Sequence, residues 1–455
     1  MSNNRPVVTR IAPSPTGMMH IGTVRTALFN YLFAKQHGGT YFVRIEDTDK
    51  ERYESAWVDA IWNDFAWLGL QPDKRYVQSE HVERHRELLH TLVESGKAYV
   101  SKETAKDGSG REVEVVRLKN PGQTITFQDL VHGEITFDTT ELGDFVLARS
   151  IDDPLYHFAV VADDADAGVT HVIRGEDHIS NTPRQILIQE ALGFPRPVYA
   201  HLPLILAPDR SKLSKRKHGA SVENYKGQGY LPEAILNYLA LLGWNPGDDR
   251  EFFMLSDLLQ TFSLEKVQKS PAVFDEKKLA WFNKAYLTRL PHEAQLNETE
   301  THLPESIKTL PQYSKERLTR VLPQLIERIE KWGDITELAE KDEVGYYFKA
   351  PEYQPSGLSF KNETPLNDIR EHLTTVLDAL GQIPEEQFGA ETVKASIWDY
   401  ATEVGRGAVL WPLRYALSGK ERSPDPFTLC EVLGKAETLA RVQSALSLIE
   451  QGRND

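Results

Sequence analysis

Cysteine is nearly absent from this chain: Cys430 is the only one in 455 residues. A single thiol excludes an intrachain disulfide framework and any metal site built from cysteines. Long apolar runs are missing too. No stretch approaches the roughly 20 residues that span a bilayer, and Met1 to Pro6 lead into a strand-like segment without an apolar signal core. A cytoplasmic location is the expectation. Positive charge is in deficit, with 52 Lys and Arg against 67 Asp and Glu and a net charge of −15. That balance excludes a broadly basic nucleic-acid binder. It leaves room for a basic strip on an acidic body, where repulsion elsewhere suppresses non-specific contacts. What is present is ordinary for a globular chain, 40% hydrophobic and 26% charged. The length exceeds what one core supports, so several compact units are expected.

Two short stretches carry most of the chemistry. The first is Arg10-Ile11-Ala12-Pro13-Ser14-Pro15-Thr16-Gly17, running into His20-Ile21-Gly22-Thr23. Val7, Val8 and Ile11 are β-prone, and Pro13, Pro15 and Gly17 stop the strand. From Thr23, apolar Val24, Ala27, Leu28, Tyr31 and Leu32 recur at helical spacing until Gly38-Gly39. A strand that ends in a Gly/Pro turn and opens a helix aims free N–H groups and a positive dipole end at one spot, which suits a phosphate. His20 lies at that mouth as a donor. The second stretch, Lys212-Leu213-Ser214-Lys215-Arg216-Lys217, puts three lysines and an arginine on a Ser-bearing loop. Taken singly, each has a bland reading: a histidine near a turn is commonly a cap, and a basic run is commonly a solvated loop.

Between them the pattern alternates strands and helices. Thr40 to Ile45 reads as a strand buried on both faces, and its end delivers Glu46, Asp47 and Asp49. Ligands of open α/β sheets collect at the carboxyl ends of strands, so these acids and Arg10 are placed to face one pocket. The competing reading for Asp47 and Asp49 is an acidic start to the helix of Trp57, Ala60, Ile61, Phe65 and Leu68. Ser79 is expected to cap the next helix. Short strand candidates follow at 113–116, 124–127, 134–137 and 145–147, an α+β insertion. Tyr156 and the following apolar residues come next. A strand at 169–173 then ends in Arg174-Gly175-Glu176-Asp177-His178, and Thr182-Pro183-Arg184-Gln185 has the form of a capping box. A further strand, Tyr199 to Leu206, leads into the lysine loop. Two arginines at strand ends, one carboxylate and a tyrosine hydroxyl suit an acidic amino acid, because a guanidinium holds a carboxylate bidentately. The alternative is that each arginine merely pairs with a nearby Asp. From Leu290 onward the periodicity is helical throughout.

His-Ile-Gly-Thr and Lys-Leu-Ser-Lys-Arg resemble the HIGH and KMSKS signatures of class I aminoacyl-tRNA synthetases. Together with Arg-Ile-Ala-Pro-Ser-Pro-Thr-Gly and Arg44-Ile45-Glu46-Asp47-Thr48-Asp49, the resemblance narrows to bacterial-type glutamyl-tRNA synthetases. It implies an α/β Rossmann-like catalytic domain with an α+β insertion, followed by all-α C-terminal domains. The expected boundaries are 1–97 and 153–220 for the two halves of the catalytic domain and 98–152 for an acceptor-binding insertion. A helical stem-contact domain at 221–290 and an all-α anticodon-binding region at 291–455 complete the set. Catalytic roles fall on His20, Thr23 (where many relatives carry a second histidine), Lys212 and Lys215. ATP would be held by His20, Gly22, Asp177, Lys212, Leu213, Ser214 and Lys215. Glutamate would be held by Arg10, Ala12, Ser14, Glu46, Tyr156 and Arg174, with Glu46 facing the α-amino group.

The implied reaction ligates L-glutamate to the 3′ end of tRNA(Glu) through glutamyl-adenylate, using ATP with magnesium. No membrane partner is implied, and a monomer is expected. Alternatives that stay open are an enzyme that also charges tRNA(Gln), and a tRNA-modifying paralogue, although the latter usually lacks the helical C-terminal part. Many relatives carry a zinc site just after the position of Tyr99. This chain reads Val100-Ser101-Lys102-Glu103 there, with no cysteine, so no structural zinc and a trimmed insertion are expected.

Overall fold

The computed structural model describes residues 5–48, 53–104, 110–359 and 364–451, without the side chains of residues 215 and 216. Two compact units divide it, Met1–Asn283 and Lys284–Asp455.

In the first unit β1 (Val8–Ile11), β2 (Thr40–Ile45) and β3 (Lys74–Val77) form a parallel sheet in that order. The connection from β1 to β2 is the helix α1 (Ile21–Gln36), and α2 (Ser55–Trp67) links β2 to β3. Buried residues run continuously through β2, as a strand covered on both faces requires. One of them, Arg44, is fully buried, which a central strand tolerates only if charged partners come with it. After α3 (Val82–Glu94) come β4 (Ala98–Thr104), β5 (Glu112–Leu118), β6 (Thr124–Asp129), β7 (Gly133–Asp138), β8 (Val146–Ser150) and β9 (Asp153–Pro154). The four strand candidates of the insertion are thus β5 to β8. Strands β4, β5, β8 and β9 make an antiparallel sheet. The β6–β7 hairpin does something different. It joins the parallel strands that follow.

Those are β10 (His171–Gly175) and β11 (Val198–Leu202), separated by α4 (Tyr156–Asp166) before them and α5 (Thr182–Leu192) between them. Tyr199 of β11 pairs with Asp129 of β6. β10 lies beside β1: the Thr170 N–H donates to Val8 O at 3.0 Å, and the Val8 N–H to Thr170 Oγ1 at 2.8 Å. At the other end the Asn30 side-chain amide donates to Ile173 O at 2.9 Å. The strands therefore read β3-β2-β1-β10-β11, and the order reverses between β1 and β10. Beyond the carboxyl ends of these two strands lies the crevice in which open α/β sheets hold ligands.

Three local expectations are corrected. The strand expected from Tyr199 to Leu206 is interrupted at Pro203, whose missing N–H stops the ladder; Ile205–Leu206 instead pairs with Ala272–Val273. Ser79 lies inside the short 3-10 helix Gln78–His81 and caps nothing; its N–H and hydroxyl donate to Asp47 at 2.8 and 2.6 Å. Thr182 and Gln185 do not form a capping box, because both side chains are turned to Arg174.

The second unit is helical; among the described residues no strand follows Val273. One amphipathic face is on Lys315–Arg328, where Leu318, Val321, Leu322, Leu325 and Ile326 are buried and Ser314 accepts from the Arg317 N–H. Pro323 sits inside this helix without ending it. Arg441 is buried at the centre of the unit, donating to the carbonyl of Tyr346 at 2.7 Å and to Glu437 at 2.7 Å. No helix among the described residues is long and apolar enough to cross a membrane.

Candidate active site

A cavity of about 490 Å³ opens at the carboxyl ends of β1, β2 and β10. Its walls include Arg10, Ala12, Ser14, His20, Gly22, Thr23, Glu46, Tyr156, Arg174, Asp177, Lys212 and Leu213. Ser214 is not part of the wall; its hydroxyl accepts from the Lys217 N–H at 3.2 Å, and its own N–H donates to His218 Nδ1 at 3.1 Å. The side chain of Lys215, like Asp49, lies outside the described residues.

The floor is a charge cluster. Arg10 grips Asp164 through Nε (3.1 and 3.2 Å) and Nη2 (3.1 Å), while Arg44 Nη1 takes Asp164 Oδ1 at 2.5 Å. Arg44 Nη2 donates onward to Glu46 at 2.9 Å. Burial alone would raise the Asp164 carboxyl, but the two guanidiniums hold it below its usual range. Burial alone would lower Arg44, yet Asp164, Glu46 and Asp163 raise it. Glu46 is pushed up by burial, which its arginine partner only partly offsets. Beneath, Asp163 accepts from His85 Nε2 at 2.6 Å, Gln78 at 2.6 Å and Tyr76 at 3.1 Å. Arg10 thus pairs with a nearby Asp and also lines the cavity.

Arg174 is held differently. Among the described residues no carboxylate hydrogen-bonds to it: Nη1 donates to Gln185 Oε1 and Nη2 to Thr182 Oγ1, both at 2.8 Å, and Nε to His201 Nε2 at 3.2 Å. The charged residues that line the cavity are Arg10, Arg25, Arg44, Arg174 and Lys212 against Glu46 and Asp177, which leaves it positive, the complement of an anionic guest. Tyr156 stands at the rim, 40% exposed, with its hydroxyl 3.3 Å from His178 Nδ1.

On the opposite wall His20 is the N-cap of α1, its Nδ1 accepting from the Gly22 N–H at 2.9 Å. A side chain at Gly22 would start 3.0 Å from that same Nδ1, so glycine is what lets the imidazole fold over the helix start. The lysine loop folds back on itself, with Leu213 N–H donating to Ile205 O at 3.2 Å. It then returns to α1: His20 and Ser221 form an antiparallel bridge, flanked by Ile21 N–H to Ala220 O and Val222 N–H to Met19 O. Lys212 Nζ is 2.8 Å from Asp177, whose pKa, raised by burial alone, is pulled below the usual range by this lysine.

Sequence reasoning missed Asp164, His201 and Asp129, and treated Arg44 only as part of a motif. The available signal for Asp164 was a pair of acids, Asp163-Asp164, at the end of an otherwise apolar run from Phe158 to Ala162. Asp47 accepts from the Ser79 N–H and hydroxyl.

In the second unit a separate cavity of about 420 Å³ is lined by Arg406, Gly407, Leu410, Trp411, Arg414, Ser423, Asp425 and Pro426. The Arg414 guanidinium lies 4.7 Å from the Trp411 ring, and Arg406 lies 4.4 Å from Trp398.

The crevice at the strand-order reversal gathers a helix N-terminus, a histidine and a lysine loop, an arrangement suited to phosphate. The family model for class I tRNA synthetases (E and Q), catalytic domain, matches residues 6–107 and 101–281, and that for the anticodon binding domain matches 294–446. The glutamate–tRNA ligase of Carboxydothermus hydrogenoformans is 38% identical over 96% of this chain and 99% of its own length. Glutamate–tRNA ligase 1 of Caldanaerobacter subterraneus subsp. tengcongensis is 36% identical over 98% of each. The crystal structure of a glutamate tRNA ligase from Elizabethkingia meningosepticum, in complex with its amino acid, superposes with a TM-score of 0.86 at 31% identity, covering 97% of this chain and 99% of that one. The chain belongs to the glutamate–tRNA ligase family.

Proposed function

We propose that this enzyme joins L-glutamate to the 3′ end of tRNA(Glu) in two steps. An oxygen of the glutamate α-carboxylate attacks the α-phosphorus of ATP, and the bond to the β-phosphate oxygen breaks to release pyrophosphate. A ribose hydroxyl of the terminal nucleotide then attacks the acyl carbon, AMP leaves, and the hydroxyl proton passes to solvent. The observation that carries the reading is the single cavity shared by His20, Lys212 and the positively charged set of Arg10, Glu46 and Arg174.

Little covalent chemistry falls to the protein, which aligns reactants and meets charge growing on the phosphates. Arg174 and Arg10 face the side-chain carboxylate, and Glu46 the ammonium, because a carboxylate next to an ammonium is a charge-assisted pair. Ala12 and Ser14 border the same side. His20, with the Thr23 hydroxyl and the N–H groups at the start of α1, meets the triphosphate from one wall. Gly22 leaves room for it, and Lys212 and Leu213 meet it from the lysine loop, whose Lys215 supplies the further cation the signature calls for. Asp177 steadies Lys212. Magnesium would be carried by the triphosphate, whose oxygens are hard ligands. In the second unit, the Arg414–Trp411 pair offers guanidinium and indole planes on which an unstacked base can lie.

Aminoacylation of purified tRNA(Glu) and tRNA(Gln) with labelled glutamate tests this. Charging of tRNA(Glu) is expected, and charging of tRNA(Gln) as well would identify a non-discriminating enzyme. Failure to charge tRNA(Glu) would overturn the reading.

A further inference from the structure

Arg174 differs from its two neighbours in having only neutral acceptors, and one of them is itself held. Asp129, at the end of β6, accepts from the N–H groups of Val131 and His132 at 2.9 Å each and of His201 at 3.1 Å. It also lies 2.6 Å from His201 Nδ1. A carboxylate that collects three backbone amides is held ionised, and burial, which opposes this, is outweighed here by His201 and those amides. An ionised Asp129 requires the proton on Nδ1. The lone pair of the imidazole is then on Nε2, the atom that lies 3.2 Å from both Arg174 Nε and the Thr182 hydroxyl. Both His201 and Asp129 are buried, so water does not take over either role.

We propose that Asp129 and His201 are positioning residues for Arg174: Asp129 fixes the tautomer, and His201 Nε2 sets the plane of the guanidinium that receives the substrate's carboxylate. With Nε, Nη1 and Nη2 each committed once, one N–H remains on each Nη to meet a carboxylate. A rotation about the Nε axis would misdirect both. Asp129 belongs to the insertion's hairpin rather than to the nucleotide-binding core strands, so the insertion contributes to amino-acid affinity as well as to the sheet. The inference rests on the reading that Arg174 binds the glutamate carboxylate.

Steady-state aminoacylation by the full chain tests it, with KM measured separately for glutamate and for ATP. Arg174→Gln probes the underlying reading alone: an unchanged glutamate KM there removes Arg174 from substrate binding. If that KM rises, His201→Phe is expected to raise glutamate KM about tenfold with ATP KM within about twofold. His201→Gln, whose amide oxygen can still accept from Arg174 Nε, is expected to recover most of that loss. Both variants forfeit the imidazole's bond to Asp129, so a purely structural role would move them alike. Asp129→Asn, which is isosteric, is expected to raise glutamate KM in the native background and to add little in the His201→Gln background. Equal effects of His201→Phe and His201→Gln, a parallel rise in ATP KM, or additivity of Asp129→Asn with His201→Gln would overturn the proposal.

Discussion

The backbones of His20 and Ser221 are joined in an antiparallel bridge, so the mouth of the first helix and the exit of the lysine loop are one piece of structure. The residue that follows the lysine loop is thereby held side by side with His20, which lines the cavity.

Lys215 starts the short helix Lys215–His218 in that loop. Replacement by Ala is expected to slow ATP–pyrophosphate exchange by about 10²-fold or more, because a cation on a loop can follow charge onto the leaving pyrophosphate. Exchange within a few-fold of the native rate would take Lys215 out of the mechanism.

Asp164→Ala leaves two buried guanidiniums without their shared partner. A loss of about 3–5 kcal/mol in urea unfolding is expected, since removing one member of a buried ion pair strands the other's charge. Asp164→Asn keeps acceptor oxygen and shape and should lose less. Equal stability of all three proteins would mean that Arg10 and Arg44 find other partners.

The architecture was legible where pattern and position coincide. The Gly/Pro turn before His20, the buried strand Thr40–Ile45 and the insertion strands all announce themselves through residue type and spacing. The cavity wall was legible as well, because its residues cluster at strand ends. What was not legible is pairing. Arg44 and Asp164 are 120 residues apart, and nothing local in a strand with period-free burial says which acid will meet its one arginine. Thr182 and Gln185 carried a capping signature that tertiary contact with Arg174 overrode, a local preference of about 1 kcal/mol giving way to a buried charge. Ser79 and Asp47 were read separately when each was the other's partner.

Burial lowers His157, His171 and His178 to about 4 each, against about 6.5 in an unfolded chain. As pH falls from about 6.5 toward 4 the unfolded chain takes up protons that the native one refuses, so stability is full above this window and declines through it. Asp64, raised to about 6 by burial, works in the opposite direction, so the test is a difference: between about pH 6.5 and 4 His178→Gln should lose less of its urea midpoint than the native protein does. Equal losses in the two proteins would contradict the assignment to His178.

Trp411→Ala is expected to raise the KM for tRNA several-fold while leaving the KM values for glutamate and ATP unchanged, since stacking on one base contributes about 1–3 kcal/mol. Arg406→Ala should weaken tRNA binding less and reduce its salt dependence. An effect of Trp411→Ala on amino-acid KM instead would place the base-stacking surface elsewhere.

The central claim is that two remote segments close on one nucleotide beside a cavity for an acidic amino acid. A crystal structure with a non-hydrolysable glutamyl-adenylate analogue tests it most directly. The phosphate mimic is expected between His20 and the Lys212–Lys215 loop, with the glutamyl carboxylate on Arg174 and its ammonium on Glu46. An analogue lodged outside this cavity, or bound with its glutamyl group turned away from Arg174, would contradict the account.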